Sequence, residues 1–121
     1  MVQQNAPTVA DKQTAQLVLT LIKKLTHLLA VANVGLPGLV EIKALSIVLR
    51  QKLKSSVLTE QQRKILVLLN AFIKIVKISI IKNTNEGDKD NLTVKRVVLE
   101  LKGISILLRQ ALSNALLGVY V

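Results

Sequence analysis

A chain of 121 residues is long enough for one hydrophobic core and too short for two, and its seventeen Lys and Arg against seven acids give a formal charge of +10. It has no cysteine, which excludes disulfides and thiolate metal sites. Half of its residues are apolar although it holds one Phe, one Tyr and no Trp, so it carries more aliphatic surface than a small monomer hides comfortably, together with a charge that suits a polyanion: nucleic acid, an anionic membrane surface or an acidic protein.

The chain opens with a polar arm, Met1 to Pro7. Thr8-Val-Ala-Asp11 has the spacing of a capping box with Asp in the place of Glu, and predicts the start of helix one. Leu17, Val18, Leu21, Ile22, Leu25, Leu28, Leu29 and Ala32 recur at three and four and gather on one face, while Thr20, Lys23, Lys24 and His27 take the other. Asn33 to Gly38 is a break, with Gly35 free to take positive φ and Pro37 suited to the first helical position. Helix two is expected from about Pro37 to Ser56. Ile42, Leu45, Leu49 and Leu53 form one apolar stripe and Ala44, Ile47 and Val48 a second, with a basic strip of Lys43, Arg50 and Lys54 between them. A helix apolar on two sides is expected to touch two neighbours.

Thr59-Glu-Gln-Gln62 is a second capping box and starts helix three, expected to run to about Lys82. Arg63, Asn70, Lys74 and Lys77 fall in one narrow polar strip, and most of the remaining circumference is aliphatic. Asn83 to Asn91 reads as a polar loop, and helix four follows from about Thr93 to Leu117, leaving Val119, Tyr120 and Val121 as an apolar tail.

Two of these helices are copies. Glu41 to Leu53 and Glu100 to Leu112, 59 residues apart, share Glu41/Glu100, Lys43/Lys102, Ser46/Ser105, Ile47/Ile106, Leu49/Leu108, Arg50/Arg109, Gln51/Gln110 and Leu53/Leu112. At a spacing of 50 the first and third helices align as well, Thr20, Lys24 and His27 with Asn70, Lys74 and Lys77, and Leu19, Ile22, Leu25 and Leu28 with Leu69, Phe72, Ile75 and Ile78. The expected fold is therefore all-α, a four-helix bundle formed by two duplicated helical hairpins in a single domain over 1–121, with repeat one at about 8–57 and repeat two at about 59–117. A transmembrane span is not expected: it needs roughly 18 uncharged residues, and Lys23 and Lys24, Arg50, Lys74 and Lys77, and Arg109 interrupt every helix. Met1 to Asp11 also lacks the basic and then apolar order of a secretory signal.

No constellation of side chains names a reaction, so the expectation is a protein that is not an enzyme and needs no cofactor. His27, the one histidine, has no cysteine or carboxylate at helical spacing and makes a poor metal ligand. Ser46 and Ser105 lack a base and read as small residues that permit close packing. Asn83, Asn85, Glu86, Asp88 and Asp90 suggest a calcium loop, but the glycine is misplaced and no glutamate closes the coordination, so they read as a solvated turn. Asn91-Leu-Thr93 matches a glycosylation acceptor and reads better as the cap of helix four. Gly103 replaces Ala44 inside helix four, a cost that a close helix crossing there would offset.

The feature with functional weight is the repeated basic strips: Lys24, Lys43, Arg50, Lys54, Lys74, Lys77, Lys102 and Arg109 are the expected nucleic-acid-binding residues. Readers of single strands and of RNA stack bases on aromatic rings; this chain has almost none, so contact to the backbone of double-stranded DNA is expected. A subunit that hides its aliphatic faces in a homo-oligomer and turns its basic strips to DNA satisfies both surpluses. From Gln13 to Leu117, the doubled hairpin and the Ile/Leu/Val/Lys composition resemble the major capsid proteins of spindle-shaped archaeal viruses. The resemblance implies a capsid protein of a virion, assembled helically around double-stranded DNA, and carries over no single residue. Lys-rich amphipathic helices also suit anionic lipid, which keeps a membrane-active or membrane-surface protein as an alternative, beside a basic adaptor subunit of a nucleic-acid enzyme.

Overall fold

The computed structural model describes residues 12–31, 35–55, 59–84 and 92–120. They form four helices, α1 (Lys12–Ala30), α2 (Leu36–Lys54), α3 (Glu60–Thr84) and α4 (Leu92–Tyr120), and the fold is an all-α four-helix bundle. The Thr8 capping box, the acidic loop beyond Thr84 and the Asn91 cap lie outside the described residues.

The helix ends follow from local chemistry. The α1–α2 connection is short, and Gly35 is the N-cap of α2 at φ −71° and ψ 158°, extended backbone rather than the positive φ expected of it. The helix therefore begins one residue early, at Leu36, and Pro37 occupies its first turn, where a missing N–H costs nothing. At the other end the Ser55 N–H donates to Gln51 O at 3.2 Å and its hydroxyl to Lys52 O at 2.9 Å, closing two orphan carbonyls. The capping box of α3 forms as expected: Thr59 N–H donates to Gln62 Oε1 at 2.9 Å, and Gln62 N–H to Thr59 Oγ1 at 3.1 Å. Helix α4 continues to Tyr120, so most of the expected apolar tail is helix.

Burial then repeats every seven residues. The buried positions that recur with this period are Thr14, Val18, Leu21, Leu25 and Leu28 on α1, Leu39, Ile42, Ser46, Leu49 and Leu53 on α2, Gln62, Ile65, Leu69, Phe72, Val76 and Ser79 on α3, and Leu101, Ser105, Leu108, Leu112 and Ala115 on α4. Their alternating steps of three and four are the a and d positions of a heptad abcdefg, the seam of coiled-coil packing. A seven-residue repeat on helices of 3.6 residues per turn drifts by roughly 20° per heptad, the mismatch that left-handed coiling of helices takes up. Positions e and g, such as Lys43, Leu45, Arg50 and Ile75, are mostly half-buried, with Ala15 and Ile73 at e buried outright, and b, c and f are mostly exposed. The second apolar stripe of α2 is therefore largely an outer surface: Ala44 and Val48 face solvent and Ile47 is half-buried.

Each helix packs on two others, α1 on α2 and α4, and α3 on α2 and α4, and among the described residues no backbone approaches closely across either diagonal. Sequential helices joined by short connections run antiparallel, so the order around the bundle is the order in the chain. The duplication is visible in the burial. Ile42, Ser46, Leu49 and Leu53 are buried as Leu101, Ser105, Leu108 and Leu112 are, 59 residues on.

For α1 and α3 the spacing of 50 does not hold. It lays exposed Leu19 on buried Leu69 and buried Leu28 on exposed Ile78. A spacing of 51 restores the match, with Val18, Leu21, Leu25 and Leu28 on Leu69, Phe72, Val76 and Ser79, every one of them buried. One residue turns a helix by roughly 100°, enough to exchange its inner face for its outer one.

Candidate nucleic-acid interface

Around a helix the heptad positions run a, e, b, f, c, g, d, so e and b flank the core on one side and g and c on the other. Four contacts decide which neighbour each side meets. Lys24 Nζ, at g of α1, pairs with Glu41 Oε1, at c of α2, at 2.8 Å. Arg50, at e of α2, donates to Asn70 Oδ1, at b of α3, at 3.2 Å. Lys102, at e of α4, donates to Val31 O at the end of α1 at 2.6 Å, and Arg109, one heptad on, donates to Thr26 Oγ1 at 3.5 Å. The e and b positions therefore line the α2/α3 and α4/α1 sides, and the g and c positions line the α1/α2 and α3/α4 sides.

On this map the α2/α3 side collects Lys43, Arg50 and Lys54 from α2 and Arg63 and Lys77 from α3, with Lys74 on the ridge of α3 next to Lys77. No carboxylate occupies an e or b position of either helix among the described residues. The Arg50 guanidinium is held by a neutral amide, which fixes its place on the face and leaves its charge unbalanced. At a rise of 1.5 Å per residue, Arg63 to Lys77 covers about 21 Å of α3, so the strip is long enough to follow several consecutive phosphates of one strand of a duplex, which rise by about 3.4 Å each along the axis.

Five of the eight expected residues thus share one face: Lys43, Arg50, Lys54, Lys74 and Lys77. The other three are elsewhere. Lys24 lies on the α1/α2 side, where Glu41 neutralises it. Lys102 and Arg109 lie on the α4/α1 side, the face opposite the first, because their copies Lys43 and Arg50 sit on the diagonally placed helix. The Lys102 ammonium is engaged by a carbonyl at the C-terminal end of α1, where a helix presents partial negative charge. Arg63 joins the face although it was not among the eight. The signal for it in the sequence is its seven-residue step to Asn70 and again to Lys77.

Ser46 and Ser105 are fully buried, and each hydroxyl donates to a carbonyl of its own helix, to Ile42 O at 2.8 Å and to Leu101 O at 2.6 Å. No group of three His, Cys, Asp or Glu that would hold a metal ion occurs among the described residues. His27 is exposed and borders the shallow groove that Lys24, Gly38 and Glu41 line. Phe72 is fully buried and offers no ring to a base. No described helix is long and apolar enough to cross a membrane.

Compared with family models, curated proteins and solved structures, the chain matches none.

Proposed function

We propose that this chain is a non-enzymatic structural subunit that associates with copies of itself through aliphatic helix faces and lays its α2/α3 side along the backbone of double-stranded DNA, as a viral coat protein does, its place being the virion. The observation that carries this reading is the α2/α3 strip, in which Lys43, Arg50, Lys54, Arg63 and Lys77 come together with no acid at the intervening positions. Cations arranged so repel one another in the isolated protein, and phosphates relieve that repulsion while releasing condensed counterions. With the single Phe in the core, what the strip offers DNA is charge for its phosphates.

The test is binding of the full chain to duplexes of unrelated sequence over a range of salt. Near-equal affinities and a steep linear fall of log affinity with log salt are expected. Binding that ignores salt, or that prefers one sequence strongly, would count against the reading.

A further inference from the structure

The Lys24–Glu41 ion pair of the first hairpin has a broken counterpart in the second. Glu41 is repeated as Glu100, 59 residues on, whereas Lys24 is replaced by Ile75, 51 residues on. The same exchange runs along the whole α3/α4 side: Thr20 becomes Ala71, His27 becomes Ile78 and Lys52 becomes Ala111. With Leu68, Ile104 and Leu107 this makes a continuous apolar face, on which Ile78 is 41% and Leu107 57% exposed. Glu100 remains on it, exposed and without an ion pair among the described residues, and Glu60 stands equally unpaired on the ridge at the start of α3. The cations of the face itself are Lys64 and Lys82, one towards each end; Lys64 lies one turn after Glu60, and Arg96 on the ridge of α4 one turn before Glu100, without an ion pair to either acid.

We infer that a second copy of this chain docks on the α3/α4 face, antiparallel, about a twofold axis near Ala71. This rests on the self-association proposed above and names the surface that performs it. Charge complementarity selects the occupant. Glu60, Gln61 and Lys64 lie beside Ala111 and Asn114, so counting back along two antiparallel helices sets Glu100 level with Ile75. A dyad near Ala71 then carries Lys82 of the second copy to the level of Glu60, and its Lys64 to within about one turn of Glu100. Both orphan carboxylates gain a lysine, and the aliphatic surface between them is removed from water. The small side chain of Ala71 lets the two α3 helices approach at the centre. An anionic lipid surface or DNA would leave both carboxylates facing negative charge beside Lys64 and Lys82, whereas a second copy matches acids and lysines together, and the α2/α3 strip stays free for DNA.

The experiment is light scattering of the full-length protein, with circular dichroism, duplex binding and co-sedimentation with anionic vesicles measured on the same samples. The I78E/L107E double substitution is expected to reduce the assembled protein to smaller species with its helicity and its salt-dependent DNA binding kept. A71W, on an exposed position, is expected to do the same by steric block. E100K should weaken association by about tenfold, and adding K64E should restore it. Unchanged assembly in the double variant and in A71W overturns the inference. If V40E/L99E, at exposed b positions on the α2/α3 and α4/α1 sides, disrupts assembly instead, this interface falls while self-association stands. A wild-type chain that is monomeric at every concentration sinks both. Loss of vesicle binding in I78E/L107E with assembly unchanged also overturns the inference, in favour of lipid.

Discussion

Ser46 and Ser105 occupy equivalent a positions of α2 and α4, both with no exposed surface, and each returns its hydroxyl to the carbonyl four residues back. Each donor is satisfied within its own helix, so neither serine depends on a partner across the core. Such back-bonding slightly weakens a helix, and alanine has the higher helix propensity. S46A and S105A are therefore expected to lie within about 0.5 kcal/mol of the parent or slightly above it in chemical denaturation. Leucine at either site overfills a seam packed around a small residue and is expected to cost about 1–3 kcal/mol.

Phe72 is the largest side chain of the core and is fully buried at a d position of α3. F72A removes its contacts and leaves a cavity that rigid neighbours fill only in part. The expected loss is about 3–5 kcal/mol, read from the midpoint of urea unfolding monitored by circular dichroism.

The reciprocal Thr59 and Gln62 bonds satisfy backbone donors at the start of α3. T59A is expected to cost about 1 kcal/mol, while T59S, which keeps the hydroxyl, should cost far less. Equal effects of the two substitutions would show that the hydroxyl bond contributes nothing.

Gly103 lies mid-helix on the outer face of α4, and a Cβ there would meet nothing within 4 Å. The close crossing expected to explain the glycine is absent among the described residues. G103A is therefore expected to raise stability by about 0.5–1 kcal/mol, seen as a melting temperature higher by roughly 4 °C at most.

On the α2/α3 strip, K43A, K77A and R63A are each expected to weaken duplex binding about equally for all sequences and to lower the salt slope by about one. K24A, which removes a lysine already neutralised by Glu41, should leave the slope nearly unchanged. A K24A effect as large as that of K43A would place the DNA on a different side of the bundle.

How much of this could be read from the residues varied with the strength of the pattern. The 59-residue repeat of α2 in α4 was legible because eight identities fix its register, and burial follows it position by position. The α1 and α3 pair kept only residue types. A spacing of 50 matches Lys24 to Lys74 and Leu25 to Ile75, yet it sets inner faces against outer ones, as Leu28 and Ile78 show. The strips were visible as well, but not their arrangement. Whether Lys43 and Lys102 share a surface depends on the cyclic order of four helices, and periodicity along one helix does not contain that order.

The heptad seam leaves a question of address. Sliding one helix along its neighbours by seven residues brings Leu21 to where Leu28 was, or Ile65 to where Phe72 was, so greasy adhesion alone scarcely distinguishes the native setting from its translated twin. The discrimination falls to what does not recur with that step: the few residues between Ala30 and Leu36, and the small seam side chains of Ser46 and Ser105 among larger ones. Lengthening the first connection is thus the change that would let the coil slip like a ratchet by one notch, with its grip intact and its outer charges displaced by about 10 Å.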